Sequence, residues 1–309
     1  MLTAHGHEPI VYDNLKTGHK AAVKNAPVVV DNLSNTSRLI ETIKKYQIEA
    51  VMHFAASIEA GESVLKPLQY FTNNVQNTLN LLQAMETQNV NKLVFSSTAA
   101  VYGTPQKIPL TENASQIPIN PYGETKLTSE RMCHWQSRTG KLNYAALRYF
   151  NAAGAGNNAT LGEDHRPESH LIPLTIQAAM SKRNDIKIFG TDYDTPDGTC
   201  IRDYIHIEDL CRAHLLALEK LDENSELTYN LGNGKGYSVR KVIDTVKKVS
   251  GKDFKVIETE RRQGDPAVLT ADSTKAQNEL GWKTKHPDLE AIIETAWKWH
   301  CQNPNGYPD

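Results

Sequence analysis

Tyr122 and Lys126 stand four residues apart in Tyr122-Gly123-Glu124-Thr125-Lys126, the head of a stretch with helical spacing that runs toward Trp135. That interval puts both on one helical face, with the ammonium beside the phenol. A free phenol titrates near 10, too high for a base at neutral pH. A neighbouring cation favours the phenolate, which makes the pair a candidate general base. Tyr12/Lys16 and Tyr237/Lys241 repeat the spacing, but Tyr12 starts in a strand and Tyr237 at a turn. Tyr122 instead follows Val94-Phe95-Ser96-Ser97-Thr98, a strand whose tip carries three hydroxyls. In an open parallel sheet, chemistry gathers at the carboxyl ends of strands. Thr98 is therefore placed to hold the oxygen that Tyr122 deprotonates. The competing reading is a Ser/Thr-rich turn followed by a surface helix.

The elements that would position these groups follow from periodicity. Pro9–Tyr12, Pro27–Val30, Ala50–Phe54, Lys92–Phe95 and Tyr144–Phe150 are short apolar runs that suit strands covered on both faces. Arg38–Lys45 and Asn74–Met85 carry apolar residues at helical spacing between them. Strands alternating with helices predict parallel βαβ units in an α/β, Rossmann-like doubly wound sheet. After about residue 155 the chain turns polar and loop-rich, at Asn157-Asn158 and Asp192–Gly198. Strand–helix passages then resume at Asp203–Ile207 with Asp209–Lys220, and at Leu227–Leu231 with Val239–Val249. The reading is a dinucleotide-binding domain over 1–155 and a smaller α/β substrate domain over 156–309, parts of which pack back on the first.

Asp13 closes the first visible strand. An acid at the tip of the second strand of a dinucleotide-binding fold bonds the adenine-ribose hydroxyls, and phosphate-cradling glycines are expected roughly 20 residues before it. Counting back from Asp13 passes Met1. The expectation is that the first strand and glycine loop are absent from the chain as written, or that Asp13 is a turn residue. Gly232-Asn233-Gly234-Lys235-Gly236 fits neither dinucleotide nor P-loop spacing, and reads as a tight turn.

Composition bounds the rest. With 34 Lys+Arg against 36 Asp+Glu over 309 residues, the chain has no basic excess to meet nucleic acid or an anionic membrane. No apolar run approaches the ~20 residues of a membrane span. The start has neither the basic head nor the apolar core of a signal peptide. Cys133, Cys200, Cys211 and Cys301 show no paired spacing. A cytoplasmic protein with ordinary thiols is expected. Glu163, Asp164, His165 and His170 share one polar loop, but no matching ligand set appears elsewhere, so no metal is expected. His53, at a strand end, reads as a hydrogen-bonded structural histidine.

On these residues the chain resembles the extended short-chain dehydrogenase/reductase family, and within it the sugar-nucleotide epimerases. The match runs from Ala4 to Pro308. It includes His5-Gly6-His7, Tyr12-Asp13-Asn14-Leu15, His53–Ala56, Gly61–Val64, Tyr70–Val75, Phe95–Gly103 and Pro121–Lys126. Farther on come Arg148–Asn151, Asp197-Gly198-Thr199, Arg202–His206, Asn230-Leu231-Gly232, Arg261–Asp265 and Gly306–Asp309. The resemblance implies bound NAD and interconversion of UDP-galactose and UDP-glucose by transient oxidation at sugar carbon 4. Tyr122 takes the 4-hydroxyl proton, Thr98 bonds the sugar oxygen, and Lys126 tunes Tyr122 and holds the nicotinamide ribose. Asp13, Asn14, Asp31, Phe54, Ala55, Ala56, Asn73, Tyr149 and Phe150 match positions lining the NAD site. Asn151, Leu171, Phe189, Arg202, Arg262 and Asp265 match the UDP-sugar site. Homodimerisation through helices around 75–86 and 122–136 is also implied.

Departures from the family pattern are Ile58 in place of a cofactor-contacting lysine, and His170 in place of an asparagine. Leu269 stands where bulk limits acceptance of N-acetylated sugars. Lacking a glycine loop, the chain as written is expected to be incompetent as an epimerase. Other UDP-sugars (UDP-glucuronate, UDP-pentoses, UDP-N-acetylhexosamines) and a non-catalytic binding role on this scaffold remain open. A 4,6-dehydratase is disfavoured, because Ala99-Ala100 stand where an acid pair is needed.

Overall fold

The computed structural model describes residues 1–156, 158–221, 226–262 and 265–308. Asn157, Gln263, Gly264 and Asp309, which fall within the sequence motifs above, lie outside the described residues. The strands are β1 (Val11–Asp13), β2 (Val28–Val30), β3 (Val51–His53), β4 (Lys92–Thr98), β5 (Asn143–Tyr149), β6 (Asn151–Ala153), β7 (Ile186–Phe189), β8 (Ile201–His206), β9 (Glu226–Leu231), β10 (Gly236–Ser238), β11 (Val256–Thr259) and β12 (Val268–Leu269). The helices are α1 (Thr36–Lys45), α2 (Ala60–Leu65), α3 (Pro67–Tyr70), α4 (Asn77–Thr87), α5 (Pro121–Ser137), α6 (Leu171–Ala179), α7 (Ile207–Lys220), α8 (Val239–Ser250), α9 (Thr274–Leu280) and α10 (Leu289–Gln302).

The central parallel ladder is β3-β4-β5-β9, and β1-β2 form a separate parallel pair. Leu93, Val94 and Phe95 on β4, and Ala145, Ala146 and Leu147 on β5, are at most 1% exposed. Burial on both faces explains why these runs lack polar alternation. One face packs against Leu39, Ile43, Leu81, Leu82 and Met85 of α1 and α4, with Tyr12 and Val51 at its margin. The other packs against Leu210, Ala213 and Ala217 of α7 and against Trp282. β9, from beyond residue 155, thus completes the first sheet through Leu147↔Tyr229 and Tyr149↔Leu231.

A smaller sheet runs β10-β8-β12, with β6 also paired to β8. It is covered by α6, α8 and α10 through Ile172, Ile176, Val242, Ile292 and Ile293. The parallel pair β7-β11 lies beyond α8. The helix predicted from Asn74 opens differently: a π-helical turn, Phe71–Gln76, precedes α4. Such turns widen the backbone locally and are frequent at functional sites.

Candidate active site

α5 starts where its sequence dictates. Asn120 caps it, its side chain accepting from Gly123 N at 2.9 Å, and Pro121 occupies the first turn. A Cβ on Gly123 would sit 2.6 Å from the carbonyl oxygen of Ala100. Glycine there lets the first turn of α5 close onto the turn that follows β4. The closure brings Tyr122 toward Thr98, whose hydroxyl favours the ionised form of the phenol. Burial, the larger effect, holds the phenol above its ordinary range.

Lys126 is 3% exposed and donates from Nζ to Ser96 O at 2.8 Å. Burial lowers its pKa to about 8, with Glu130 opposing. Ser96 Oγ is hydrogen-bonded to the Tyr149 hydroxyl, so α5, β4 and β5 meet at one serine. The spacing argument expected the lysine to set the phenol. In the structure the ammonium is committed to the strand carbonyl, and burial and Thr98 are the leading influences on Tyr122.

The expected cofactor residues lie along the carboxyl edge of the sheet. Phe54 and Ala55 are exposed just past β3. Asn73 lies in the π-helical turn, donating to Ser57 Oγ at 3.1 Å, and the neighbouring Asn74 joins Ser57 O to Thr125 Oγ1, each at 3.0 Å. Asp13 Oδ1 accepts from Leu15 N at 2.6 Å, and a Cβ on Gly18 would come within 2.9 Å of that carboxylate. Asn14 is exposed beside it. Asp31 accepts from Asn32 N at 2.7 Å and from Asn35 Nδ2 at 2.9 Å. Phe150 packs with Val101 and Tyr102. An acid fronted by glycine, an open shelf at Phe54–Ala56 and a buried ammonium fit the adenosine ribose, the body and the far ribose of a dinucleotide. Ile58, 38% exposed, brings no charge to this shelf.

The second group is held by the smaller sheet. Asn151 Nδ2 donates to Asp203 O at 2.9 Å. Arg202 pairs in register with Leu269, and its guanidinium lies 3.4 Å from Asp265 Oδ1. Arg262 stacks over the Phe189 ring, 3.8 Å from its centre. Leu171 opens α6 directly after His170. Leu269 packs against the cluster that contains Phe150, which links the two groups.

Sequence reasoning missed the groups that support this site. Glu130, one turn beyond Lys126, forms a buried ion pair with Arg148 at 2.6 Å and accepts from Ser97 Oγ. Arg148 also donates to the Tyr102 hydroxyl at 3.0 Å. Asp203, wholly buried, accepts from Asn233, Gly234 and Ala271 N–H groups at 2.8 to 3.0 Å. These donors include those of the glycine turn, so that turn cradles a carboxylate, as its spacing argued against a phosphate. His53 is buried against Thr78 Oγ1 at 2.9 Å, its pKa lowered to about 3 by burial.

Comparison with known proteins matches residues 1–232 to the NAD dependent epimerase/dehydratase family. The UDP-glucose 4-epimerase of Halalkalibacterium halodurans is 48% identical over 307 residues, spanning 99% of this chain and 92% of that protein. A crystal structure of a UDP-glucose 4-epimerase superposes with a TM-score of 0.97 at 48% identity, covering 100% of this chain and 94% of that one. The Bifidobacterium longum UDP-glucose 4-epimerase in complex with NAD+ and UDP gives 0.95 at 35% identity, with 99% and 94% covered.

Proposed function

Because the chain belongs to the NAD dependent epimerase/dehydratase family, we propose that it is an isomerase that interconverts UDP-galactose and UDP-glucose by transient oxidation at sugar carbon 4. The observation that carries this reading is the Tyr122–Thr98 contact at the tip of β4, with Lys126 buried behind it. NAD, when bound, supplies a hydride acceptor and donor for carbon 4. Tyr122 Oη accepts the proton of the 4-hydroxyl and returns it to the same oxygen, while Thr98 Oγ1 orients that oxygen. Lys126 offers its remaining N–H groups to ribose hydroxyls, and Asp13 accepts from the adenosine ribose. That the Bifidobacterium longum UDP-glucose 4-epimerase was solved with NAD+ and UDP supports binding of both a dinucleotide and a uridine nucleotide.

Arg202 and Arg262 meet the diphosphate, since guanidinium forks match phosphate oxygens. Asn151, Leu171, Phe189 and Asp265 line the nucleotide-sugar, and Leu269 fills space that an N-acetyl group needs. In this reading residues 1–155 hold the cofactor and supply Thr98, Tyr122 and Asn151 to the sugar, and 156–309 supply the rest of the UDP-sugar site, apart from the strand and helices returned to the first sheet.

The same reading makes the protein a homodimer of the cytoplasm. Trp135, 70% exposed, and Leu79, 37% exposed, border a groove between α4 and α5 that a second copy would cover. The four cysteines are free, as suits a reducing compartment. No helix among the described residues is long and apolar enough to cross a membrane.

Product analysis with NAD and UDP-galactose tests the reading, with UDP-glucuronate, a UDP-pentose and UDP-N-acetylgalactosamine as competing substrates. UDP-glucose is the expected product, and its formation would overturn the expectation from sequence that the chain as written is incompetent. Preferential turnover of another UDP-sugar overturns the substrate assignment, and UDP-sugar binding without turnover would make the chain a binding protein. Light scattering of a Trp135→Glu variant, expected to be monomeric, tests the dimer.

A further inference from the structure

The segment from Glu163 to His170 folds so that one ligand atom each of Glu163, His165, Glu168 and His170 lies within 4.8 Å of the others. His165 Nδ1 is 3.2 Å from Glu163 Oε1 and 3.6 Å from Glu168 Oε2. His170 Nδ1 is 2.8 Å from Glu163 Oε1 and 3.1 Å from Glu168 Oε1. A tetrahedral Zn2+ with bonds of about 2.0–2.1 Å requires neighbouring ligand atoms about 3.3 Å apart. The four His–Glu separations bracket that edge, Glu168 presenting Oε2 to one imidazole and Oε1 to the other.

We propose that Glu163, His165, Glu168 and His170 form a binding site for a divalent transition cation, Zn2+ foremost. Two imidazole nitrogens and two carboxylates suit Zn2+, whereas Mg2+ and Ca2+ take all-oxygen shells. His165 Nδ1 is buried without a well-directed hydrogen bond, although two carboxylates flank it. A cation at the centre would take the place of the proton that Nδ1 shares with these carboxylates. Asp164, which the sequence groups with these residues, turns away to Tyr307 N at 2.9 Å and Arg166 at 3.2 Å. The sequence offered no completing ligands elsewhere because all four come from this one loop. His300 lies close enough to feel the charges of Glu163 and Glu168.

The site would brace the chain beside the catalytic groups. Ser169 Oγ donates to Glu59 Oε1 at 2.7 Å, and the charge of Glu59 is felt at Tyr122. Leu171 follows the last ligand directly. The proposal does not depend on the reaction, so its test reads metal rather than turnover.

The full chain, stripped with chelator and exchanged into metal-free buffer, is titrated with Zn2+ against a chromophoric competitor. One ion per chain is expected at micromolar or tighter dissociation constant, unaffected by millimolar Mg2+. His165→Gln and Glu168→Gln should each weaken it at least tenfold, whereas His286→Gln, in the separate cluster with His206 and Glu208, should not. X-ray absorption on the unsubstituted chain, which needs no variant to fold, should show a nitrogen/oxygen shell with imidazole scattering. Sulfur ligation, absent stoichiometric binding, or binding that survives a His165→Gln/His170→Gln double substitution overturns the site.

Discussion

At Tyr122 two effects of opposite sign act on one proton. Burial raises the pKa and the Thr98 hydroxyl lowers it, and burial is the larger. Turnover should therefore climb with pH through neutrality as the phenolate grows. Thr98→Val removes the lowering contact and should carry that limb to higher pH, which a pH–rate profile reads directly. A limb that stays in place would show that the hydroxyl acts on substrate alone. Tyr122→Phe leaves no proton acceptor, and the expected loss is about 10²–10⁴ in kcat. Arg262 is stacked on Phe189 and exposed, and in the proposed function it meets the diphosphate. Arg262→Ala should weaken UDP binding about tenfold by calorimetry, the worth of one charge-assisted contact.

At the scale of elements, α5 carries Tyr122, Lys126 and Glu130 at successive four-residue steps. Periodicity made the first two legible. The third was not, because its meaning depends on Arg148, which sits on β5 and is only 4% exposed. A pairing across a sheet leaves no trace in local spacing. The same applies to Asp203, whose three backbone donors come from two distant loops. The π-helical turn was hidden for another reason: an added residue per turn shifts the apolar pattern without breaking it. By contrast β4 and β5 were plain, since burial on both faces demands a continuous apolar run. Glu130→Gln strands a buried guanidinium and should cost about 3–5 kcal/mol in urea unfolding. A Glu130→Leu/Arg148→Met pair, removing both charges, should recover much of that loss. If the single variant unfolds like its parent, the ion pair is not what fixes α5 to the sheet.

Over the whole molecule, stability below neutrality is set by histidines that fold into apolar surroundings. Burial lowers His53 to about 3, and His206 and His214 to about 4. Their unfolded pKa lies near 6.5. Each therefore contributes stability that is complete above about pH 6.5 and is lost as pH falls toward the folded value. Asp203 acts in the other direction, because burial raises it to about 6 and the folded chain takes up that proton first. Near pH 5 the unfolded state then holds about two protons more than the folded state, equivalent to about 3 kcal/mol per pH unit. Urea midpoints measured from pH 6 down to 4.5 should fall steeply. His53→Gln keeps a hydrogen-bonding partner for Thr78 but cannot charge, so it should remove about a third to a half of the slope, whatever its effect on stability at pH 7. His53 packs against Phe95 of β4, and the nearby charge of Lys126 further opposes its protonation. The acid transition should therefore begin in the central sheet, and hydrogen exchange at β3 and β4 should accelerate before that at β7 and β11.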